Sequence, residues 1–524
     1  MPTVWAQQYE IGGMGLGVSA LIAGIPIFVL LLMLGVLRKP AWMAALAGLG
    51  SAILVALFGY GMPAGMAVSS IFYGAAFALF PISWIIYWAI VMYRITLETG
   101  KFEVIKQSIA SLTTERPLQA LLIAFAFGAF LEGAAGFGTP VAVAAAMLTG
   151  VGFGAFEASA ICLLANTAPV AFGSIGIPVV TLAGITGLPL NELSASVGRI
   201  CAPVSLIVPA YLIAAMEGWA ALKRVWFPSL LCGGAFAGMQ FFVSNFLGPQ
   251  LVDILSSLSA IAALLIYLVV RHSSRMTLKA SDVFAAWSPY LLLVGCVLLW
   301  GYEPISKFLN SSAIKIEWPG LHNLVDRMPP VLSKPTHYAA VFNFNFAAAA
   351  GTSCMIAAIL SALTLGLGPG AFLKILGASA MQLRLPTLTV CSVLGMAFLM
   401  NYSGATGTLG LAFAATGVLF PFFSALLGWL GVFLTGSDTS ANALFGNLQV
   451  VTAQKLGLDP VLMAASNSSG GVMGKMISLQ TIAVAAAATK MSTEDQAKLF
   501  RFTFGHSVLL ASVIGAITFL YSRL

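Results

Sequence analysis

The sequence predicts an all-α membrane protein that crosses the bilayer many times. Of its 524 residues, 60% are hydrophobic and only 8% carry a charge, and the mean hydropathy is +0.98. Soluble domains carry roughly 25% charged residues, and no soluble fold of this length could bury so much apolar surface. Because a membrane-spanning helix needs about 20 apolar residues, the chain has room for roughly 12 to 14 such helices joined by short loops.

The apolar runs begin close to the N-terminus. Five of them have the length of whole or partial spans: 16–37, 41–62, 204–216, 254–270 and 289–300. The first ten residues contain neither a basic segment nor a small-residue cleavage site, so we expect no removable signal peptide. Arg38 and Lys39 follow the first run, and basic loops stay in the cytoplasm. This pattern predicts an extracytoplasmic N-terminus.

Several functional classes lack their motifs in this sequence. The six cysteines are scattered through apolar runs without a Cys-x-x-Cys pair, which predicts buried hydrophobic side chains and not a metal or redox centre. The stretch 366–370 lacks the Gly-Lys-Ser/Thr of a phosphate loop. The net charge of +7 comes mostly from short loops and does not indicate nucleic-acid binding. We therefore expect no cofactor, no metal ion and no nucleic-acid partner.

Three pairs of segments recur in the same order in the two halves of the chain. The aligned pairs are 130–133 with 433–436, 163–183 with 464–485, and 196–200 with 503–507. This alignment places Asn166 on Asn467 and Arg199 opposite His506. Three matches in one order favour an internal repeat over chance.

The loop charges indicate that the repeat is inverted. The loop 187–193, after the first Asn segment, carries only Glu192 and is expected outside. The loop after the second Asn segment contains Lys490, Lys498 and Arg501 and is expected inside. The halves are thus predicted to cross the membrane in opposite senses, as in many secondary transporters.

Glycine and hydroxyl residues interrupt the repeated segments. We predict re-entrant hairpins near 130–140 and 435–447, and broken helices near 166–178 and 466–476. In hydrocarbon, unwound backbone survives only where it is buried in protein or lines a cavity. The alternative for each glycine is close helix packing between small residues.

Two carboxyl groups stand at the predicted hairpin tips. Glu132 lies among Ala, Gly and Phe, so burial favours its neutral form, and we expect it to carry a proton. Asp438 is the second proton-coupling candidate, with hydroxyl residues beside it. The alternatives are a helix cap for either acid, or a structural ion pair between Asp438 and Lys475.

Three basic or titratable residues are the other charged candidates. Lys475 and Arg199 could each bind a substrate carboxylate, Arg199 through a bidentate fork. The alternative for Arg199 is a structural pair or an extended side chain at the outer face. His506 is a candidate proton relay, or a plain interfacial histidine at a helix start.

Polar residues of the interrupted segments complete the expected substrate site, because broken helices expose N–H groups to an anion. Any one of these side chains could equally hold helices together. The candidates are Gly136, Gly138, Thr139, Asn166, Thr167, Ser437, Thr439, Ser440, Asn442, Asn467 and Ser468.

Long motifs in the chain resemble the bacterial lactate permease family. They are "FLEGAAGFGTPVAVAAAMLTGVGF", "LLANTAPVAFGSIGIPV", "MNYSGATGTLG", "LTGSDTSANALFGNLQ" and "AASNSSGGVMGKMISLQTIAVA". The resemblance covers most of the chain and implies a multi-pass symporter of the bacterial inner membrane. It implies a proton as the coupling ion, L-lactate as the substrate, and D-lactate and glycolate as related substrates. It also implies an elevator with a scaffold domain and a mobile transport domain.

The sequence thus predicts a secondary carrier for a small 2-hydroxymonocarboxylate and not an enzyme. Its partners would be that acid, a proton and membrane lipid, and the scaffold could hold a homodimer contact. A sodium-coupled carrier and a passive anion channel are the alternatives. The expected divisions are scaffold 1–117, transport unit 118–217, scaffold 218–302, an extracytoplasmic loop 303–337, scaffold 338–385 and a second transport unit 386–524.

Overall fold

A computed structural model describes residues 4–136, 138–272 and 279–524. It is built mainly of α-helices, joined in places by π-helical or 3₁₀ turns. The first half of the chain contains α1 (Gly15–Leu31), α2 (Ala41–Leu54), α3 (Ala64–Phe77), α4 (Trp84–Glu98), α5 (Lys101–Ala110), α6 (Arg116–Gln119), α7 (Gly128–Ala134), α8 (Thr139–Gly150), α9 (Ala155–Ala165), α10 (Gly173–Thr186), α11 (Leu190–Phe246), α12 (Val252–His272) and α13 (Ala280–Gly301). The second half contains α14 (Glu303–Asn310), α15 (Ala350–Thr364), α16 (Pro369–Ser403), α17 (Ala405–Phe413), α18 (Phe420–Thr435), α19 (Asp438–Leu456), α20 (Pro460–Gly474), α21 (Leu479–Thr489) and α22 (Thr493–Tyr521).

The helices confirm the predicted class of a polytopic helical membrane protein. Among the described residues, ten helices are long and apolar enough to span a bilayer, and two bent helix pairs raise the number to 12. The 57 residues of α11 would extend about 85 Å as one straight helix, far beyond a hydrocarbon core of about 30 Å. Its backbone leaves the helical conformation at Gly218, where φ is +80°. A second break follows at Val225.

The segment between the two halves folds into short strands. They are β2 (Ile314–Glu317), β3 (Val325–Arg327), β4 (Thr336–His337) and β5 (Val341–Phe344), and a further strand, β1 (Trp5–Ala6), lies at the N-terminus. The N-terminal strand β1 pairs in parallel with β3, which also pairs with β4, and β2 pairs with β5 in antiparallel register. This segment therefore ties the N-terminus to the middle of the chain.

The first hairpin runs through α6, a π-helical segment and α7 and returns through α8. Gly136 and Gly138 have φ of +58° and +82°, a region that glycine enters without steric cost. Phe137, between them, lies outside the described residues. The twelve residues of α8 extend about 18 Å, too short to cross the membrane. The second hairpin joins α18 to α19 through a turn at Gly436 and Ser437.

The first broken helix lies where the sequence predicts it. The axis bends by 64° between α9 and the residues from Val170 onward. Ser174 and Ile175 adopt left-handed φ angles of 47° and 61° beside Gly176. A β-branched residue such as Ile175 rarely adopts this conformation, and such strain clusters at functional sites.

The second broken helix corrects the sequence prediction. The "NSSGG" stretch at 467–471 does not interrupt α20, which remains helical to Gly474. The 43° bend comes later, between Ile477 and Leu479. The small residues serve helix packing instead: a Cβ on Gly470 would lie 2.1 Å from the Ala425 carbonyl oxygen of α18. At this position the alternative of close packing between small residues is the correct one.

Each broken helix also packs against the hairpin of the other half. α10 lies along α19, where a Cβ on Gly446 would lie 2.7 Å from a methyl carbon of Leu182. α21 lies along α8 and α9, where the hydroxyls of Ser159 and Thr489 are 3.2 Å apart. This reciprocal arrangement brings both interrupted regions to the centre of the molecule.

Candidate functional site

One cavity of about 280 Å³ lies where the two hairpin tips and the two broken helices meet. Segments 130–140 and 435–447, which are far apart in sequence, are thus neighbours. One wall belongs to these segments, and the other belongs to α2 and α16. The polar lining residues are Glu132, Ser174, Thr389, Thr435, Ser437, Asp438, Thr439, Ser440, Lys475, Gln480 and Thr481.

The centre of the site is an ion pair between Lys475 and Glu132. The Lys475 ammonium donates to the Glu132 Oε1 atom over 2.9 Å, across a sequence separation of 343 residues. Both side chains line the cavity but are nearly buried, with 11% and 3% of their surface exposed. The other carboxylate oxygen of Glu132 has no hydrogen-bond partner within the described chain. Lys475 is therefore paired with Glu132. The alternative considered from the sequence, an ion pair between Lys475 and Asp438, is not what the structure shows.

The interruptions in the helices explain how these two side chains reach each other. Lys475 begins the 3₁₀ turn that follows α20, where the carbonyl end of a helix favours a cation. Glu132 lies in α7, shortly before the glycine-rich turn. Its carboxylate packs on Gly173, where an added Cβ would lie 2.7 Å from Oε1. A side chain at position 173 would displace the carboxylate.

Asp438 faces the same cavity but is held by neutral donors. Ser468 donates to Asp438 Oδ2 over 2.6 Å, and Asn442 donates to the same atom over 3.3 Å. The helix cap expected of Asp438 is provided by Ser437, whose hydroxyl accepts the Ser440 N–H. Asp438 Oδ1 has no hydrogen-bond partner among the described residues. Asp438 is therefore a buried carboxyl group with one unused oxygen.

The buried amides of the second half form a network behind Asp438. Gln449 donates to Asn467 over 3.0 Å, and Asn467 donates to the Asn442 side-chain carbonyl over 3.0 Å. Asn442 in turn donates to the Pro178 carbonyl of the first broken helix over 3.2 Å. These amides and Ser468 are not among the residues around the cavity, and they join three helices. Their geometry is that of polar contacts that hold helices together.

Two helix N-termini also point at the cavity. α19 begins at Asp438 and places Thr439 and Ser440 on the lining, while α21 begins at Leu479 and contributes Gln480 and Thr481. The N-terminal turn of a helix carries a partial positive charge and free N–H groups, so it favours an anion. With Lys475, the cavity has three features that attract a carboxylate.

Several predicted site residues lie outside this cavity, although all are in the described part of the chain. Arg199 is exposed and donates to Asn245 over 2.8 Å, so the expected anion receptor is instead tied within α11. His506 hydrogen-bonds Tyr211 at the side of α22. The remaining residues in this group are near the interruptions but do not line the cavity: Gly136, Thr139, Asn166, Thr167, Asn442, Asn467 and Ser468.

Comparison with known proteins places the chain in a family. Residues 19–524 match the model of L-lactate permease. The chain belongs to the L-lactate permease family. It is 43% identical to glycolate permease GlcA of Escherichia coli and 44% identical to L-lactate permease of Bacillus subtilis. Each alignment covers 98% of both chains, and these relatives are named as permeases.

Family membership confirms the resemblance seen in the motifs and establishes a multi-pass membrane transporter, not an enzyme. Among solved structures, MtrF of Neisseria gonorrhoeae, described as an antimetabolite efflux pump, aligns over 88% of this chain and 84% of its own. The TM-score is 0.47 and the identity 13%. At this level the likeness carries no argument about mechanism.

The permease also buries a carboxyl group that was not a sequence candidate. Asp253, in the first turn of α12, has 1% of its surface exposed. A Cβ on Gly133 would lie 2.7 Å from the Asp253 Cβ, so Asp253 is packed against the residue that follows Glu132. An acid in the first turn of a helix usually caps it, so sequence alone gave no reason to single out Asp253.

Proposed function

We propose that this permease carries L-lactate and related 2-hydroxymonocarboxylates, D-lactate and glycolate, across the bacterial inner membrane together with a proton. Its relatives named L-lactate permease and glycolate permease support the substrate class. The ion pair between Glu132 and Lys475 at the wall of the cavity supports the coupling.

The ion pair couples binding of the acid to binding of the proton, because Lys475 changes its partner from Glu132 to the substrate carboxylate. Lys475 holds Glu132 when the cavity is empty, and an entering carboxylate takes the same ammonium group. Glu132 is then a buried carboxylate without a cation, which is costly, so it takes up a proton. One acid and one proton bind together, because each makes binding of the other more favourable.

This exchange of partners adds no net charge to the transport units. Before binding, the Lys475 cation and the Glu132 anion cancel. After binding, the cation cancels the substrate anion, and Glu132 is neutral. Moving one net charge against 100 mV would cost about 2.3 kcal/mol. The bound carrier avoids this cost, which permits reorientation in both the empty and the loaded states.

The rest of the cavity suits a small hydroxy acid. One water occupies about 30 Å³ of liquid, so 280 Å³ holds a three-carbon acid with several waters. The substrate carboxylate binds Lys475 and the N–H groups at the start of α19. Thr439, Ser440 and Gln480 line the same space and provide partners for the 2-hydroxyl.

For the movement itself we retain the elevator, with two revisions to the expected divisions. α16 is one continuous helix across the division at 385/386 and packs against α2 and α3, which supports assigning it to the scaffold. α12 packs against α7 and α11, which supports moving it from the scaffold to the first transport unit. The cavity wall from α2 and α16 is then the scaffold surface along which the site moves.

Transport by the purified protein in proteoliposomes tests this function. We expect uphill L-lactate accumulation when a pH gradient, with the alkaline side inside, is imposed without sodium. A strict requirement for a sodium gradient would instead indicate the sodium-coupled alternative. Failure to accumulate lactate under either gradient, with rapid downhill flux, would indicate a passive channel.

A further inference from the structure

We propose that Asp253 is a second proton-binding residue of this permease and supplies the proton that Glu132 takes up when the substrate binds. This inference rests on the proposed proton coupling. The Asp253 carboxyl group of α12 is 99% buried, and neither of its oxygens is hydrogen-bonded within the described chain.

Helix capping does not account for Asp253. A capping carboxylate accepts backbone N–H groups of its own first turn, whereas both Asp253 oxygens lack such a donor in the described part of the chain. Burying an ionised carboxylate without partners is far more costly than burying a neutral one. The surroundings thus favour the protonated form of Asp253 in the state that the structure represents.

The position of Asp253 connects it to the coupling pair. It packs against Gly133, next to Glu132, and Ile254 touches the same glycine. The loop before α12 is fixed as well, because a Cβ on Gly176 would lie 2.7 Å from the Pro249 carbonyl oxygen. The start of α12 is therefore wedged between the first hairpin and the first broken helix.

The charges around Asp253 make its proton responsive to the substrate. Two charged side chains belong to this neighbourhood: Glu132 of α7, which precedes the Gly133 that Asp253 touches, and Lys475, which is paired with Glu132. A negative Glu132 disfavours a second negative charge on Asp253, whereas the Lys475 cation favours one. Cys201 of α11 is a further titratable side chain that interacts with Asp253. When the substrate carboxylate takes Lys475, Glu132 loses its cation, and a proton on its carboxyl group removes the uncompensated buried charge.

The proton transfer is balanced. The O–H bond at Asp253 breaks, and an O–H bond forms at Glu132, directly or through one water. Asp253 becomes a carboxylate and Glu132 becomes neutral. A proton from the aqueous side then reloads Asp253, so one proton enters for each acid bound.

The test compares Asp253→Asn, Asp253→Glu and the control Ser257→Ala in proteoliposomes. Ser257 is buried on the same helix, and its hydroxyl donates to the Ile254 carbonyl one turn earlier. We expect Asp253→Asn to keep lactate counterflow within about twofold but to lose at least tenfold in accumulation driven by pH. Asp253→Glu should restore accumulation, and Ser257→Ala should match the wild type.

Full pH-driven accumulation by Asp253→Asn would overturn the inference. Loss of counterflow in a variant with wild-type thermal stability would also overturn it, because Asp253 would then act in substrate binding. Should Asp253→Asn fail to fold, the pH profile of accumulation by Asp253→Glu decides: a shifted profile supports a titrating role, and an unchanged one contradicts it. A wild type driven by sodium alone would refute the proposed function itself, which is a distinguishable result.

Discussion

At the scale of residues, the proposed mechanism depends on one cation, Lys475, that pairs with Glu132 in the structure and with the substrate carboxylate during transport. The ammonium group of Lys475 is nearly buried on the cavity wall, where it forms an ion pair with the Glu132 carboxylate in the empty site. Hydrogen bonds to charged groups contribute about 1.5 to 3 kcal/mol. In the proposed mechanism, the same ammonium group serves the ion pair of the empty site and the binding of the substrate.

Replacing Lys475 by Met should weaken L-lactate binding by roughly 10- to 150-fold, which is the factor that this energy implies. Equilibrium binding to the protein in detergent measures the effect. Lys455→Met is the control, because Lys455 is exposed near the end of α19. Binding to the Lys475 variant within threefold of the wild type would place the anion receptor elsewhere.

Replacing Glu132 by Gln should separate exchange from accumulation. The amide keeps the size of the carboxyl group but cannot bind and release a proton. Lactate counterflow should persist and lose its pH dependence, while accumulation driven by a pH gradient should fall to the level of passive equilibration. If the variant accumulates lactate as well as the wild type, Asp438 becomes the first candidate for the proton site.

The sequence predicted these charged residues but not their partners. Glu132, Asp438 and Lys475 stand out because an ionisable group in mid-membrane is costly and rarely lacks a function. The ion pair joins two residues that are 343 positions apart in sequence. It forms because the two halves of the chain pack together, and a local sequence pattern does not indicate that packing. Arg199 has the right chemistry for an anion, yet its side chain donates to Asn245, which lies beyond the break of α11 at Gly218.

At the scale of elements, small residues have two different uses that look alike in sequence. Gly136 and Gly138 allow left-handed turns at the first hairpin tip. Gly470, by contrast, stays in a helix and admits the backbone of α18. Composition alone does not distinguish these uses, which is why the second break was predicted several residues too early.

Replacing Gly470 by Ala should destabilise the protein, because the added methyl would lie 2.1 Å from the Ala425 carbonyl oxygen. Overpacking of this kind costs about 1 to 3 kcal/mol. Thermal unfolding in detergent should show a lower midpoint. Gly238→Ala is the control, since nothing lies within 4 Å of its added Cβ, and an equal midpoint for both variants would contradict the packing role.

At the scale of the whole molecule, the site lies between two groups of helices. The hairpins and broken helices form one wall, while α2 and α16 form the other. Hydropathy predicted a polytopic protein, and the recurring segments predicted an internal repeat, which stays a prediction. The sequence did not predict with which group of helices α12 and α16 pack, because an apolar membrane helix can belong to either group.

A tether between the two groups should stop transport. Phe77 of α3 and Gly184 of α10 meet across the boundary, where a Cβ on Gly184 would touch the Phe77 ring. Cysteines at both positions, joined by a short thiol cross-linker, should abolish uptake if α10 moves along α3. The matched control joins Leu182 to Gly446 within the transport units and should retain uptake. Equal activity of both tethered proteins would contradict the elevator.

The central claim is that the substrate carboxylate and a proton exchange places with the ion pair between Glu132 and Lys475. The most direct measurement is the number of protons that the purified permease takes up on binding L-lactate in weakly buffered solution near neutral pH. The account predicts about one proton per lactate for the wild type and none for Glu132→Gln. Saturable lactate binding to the wild type without proton uptake would contradict it.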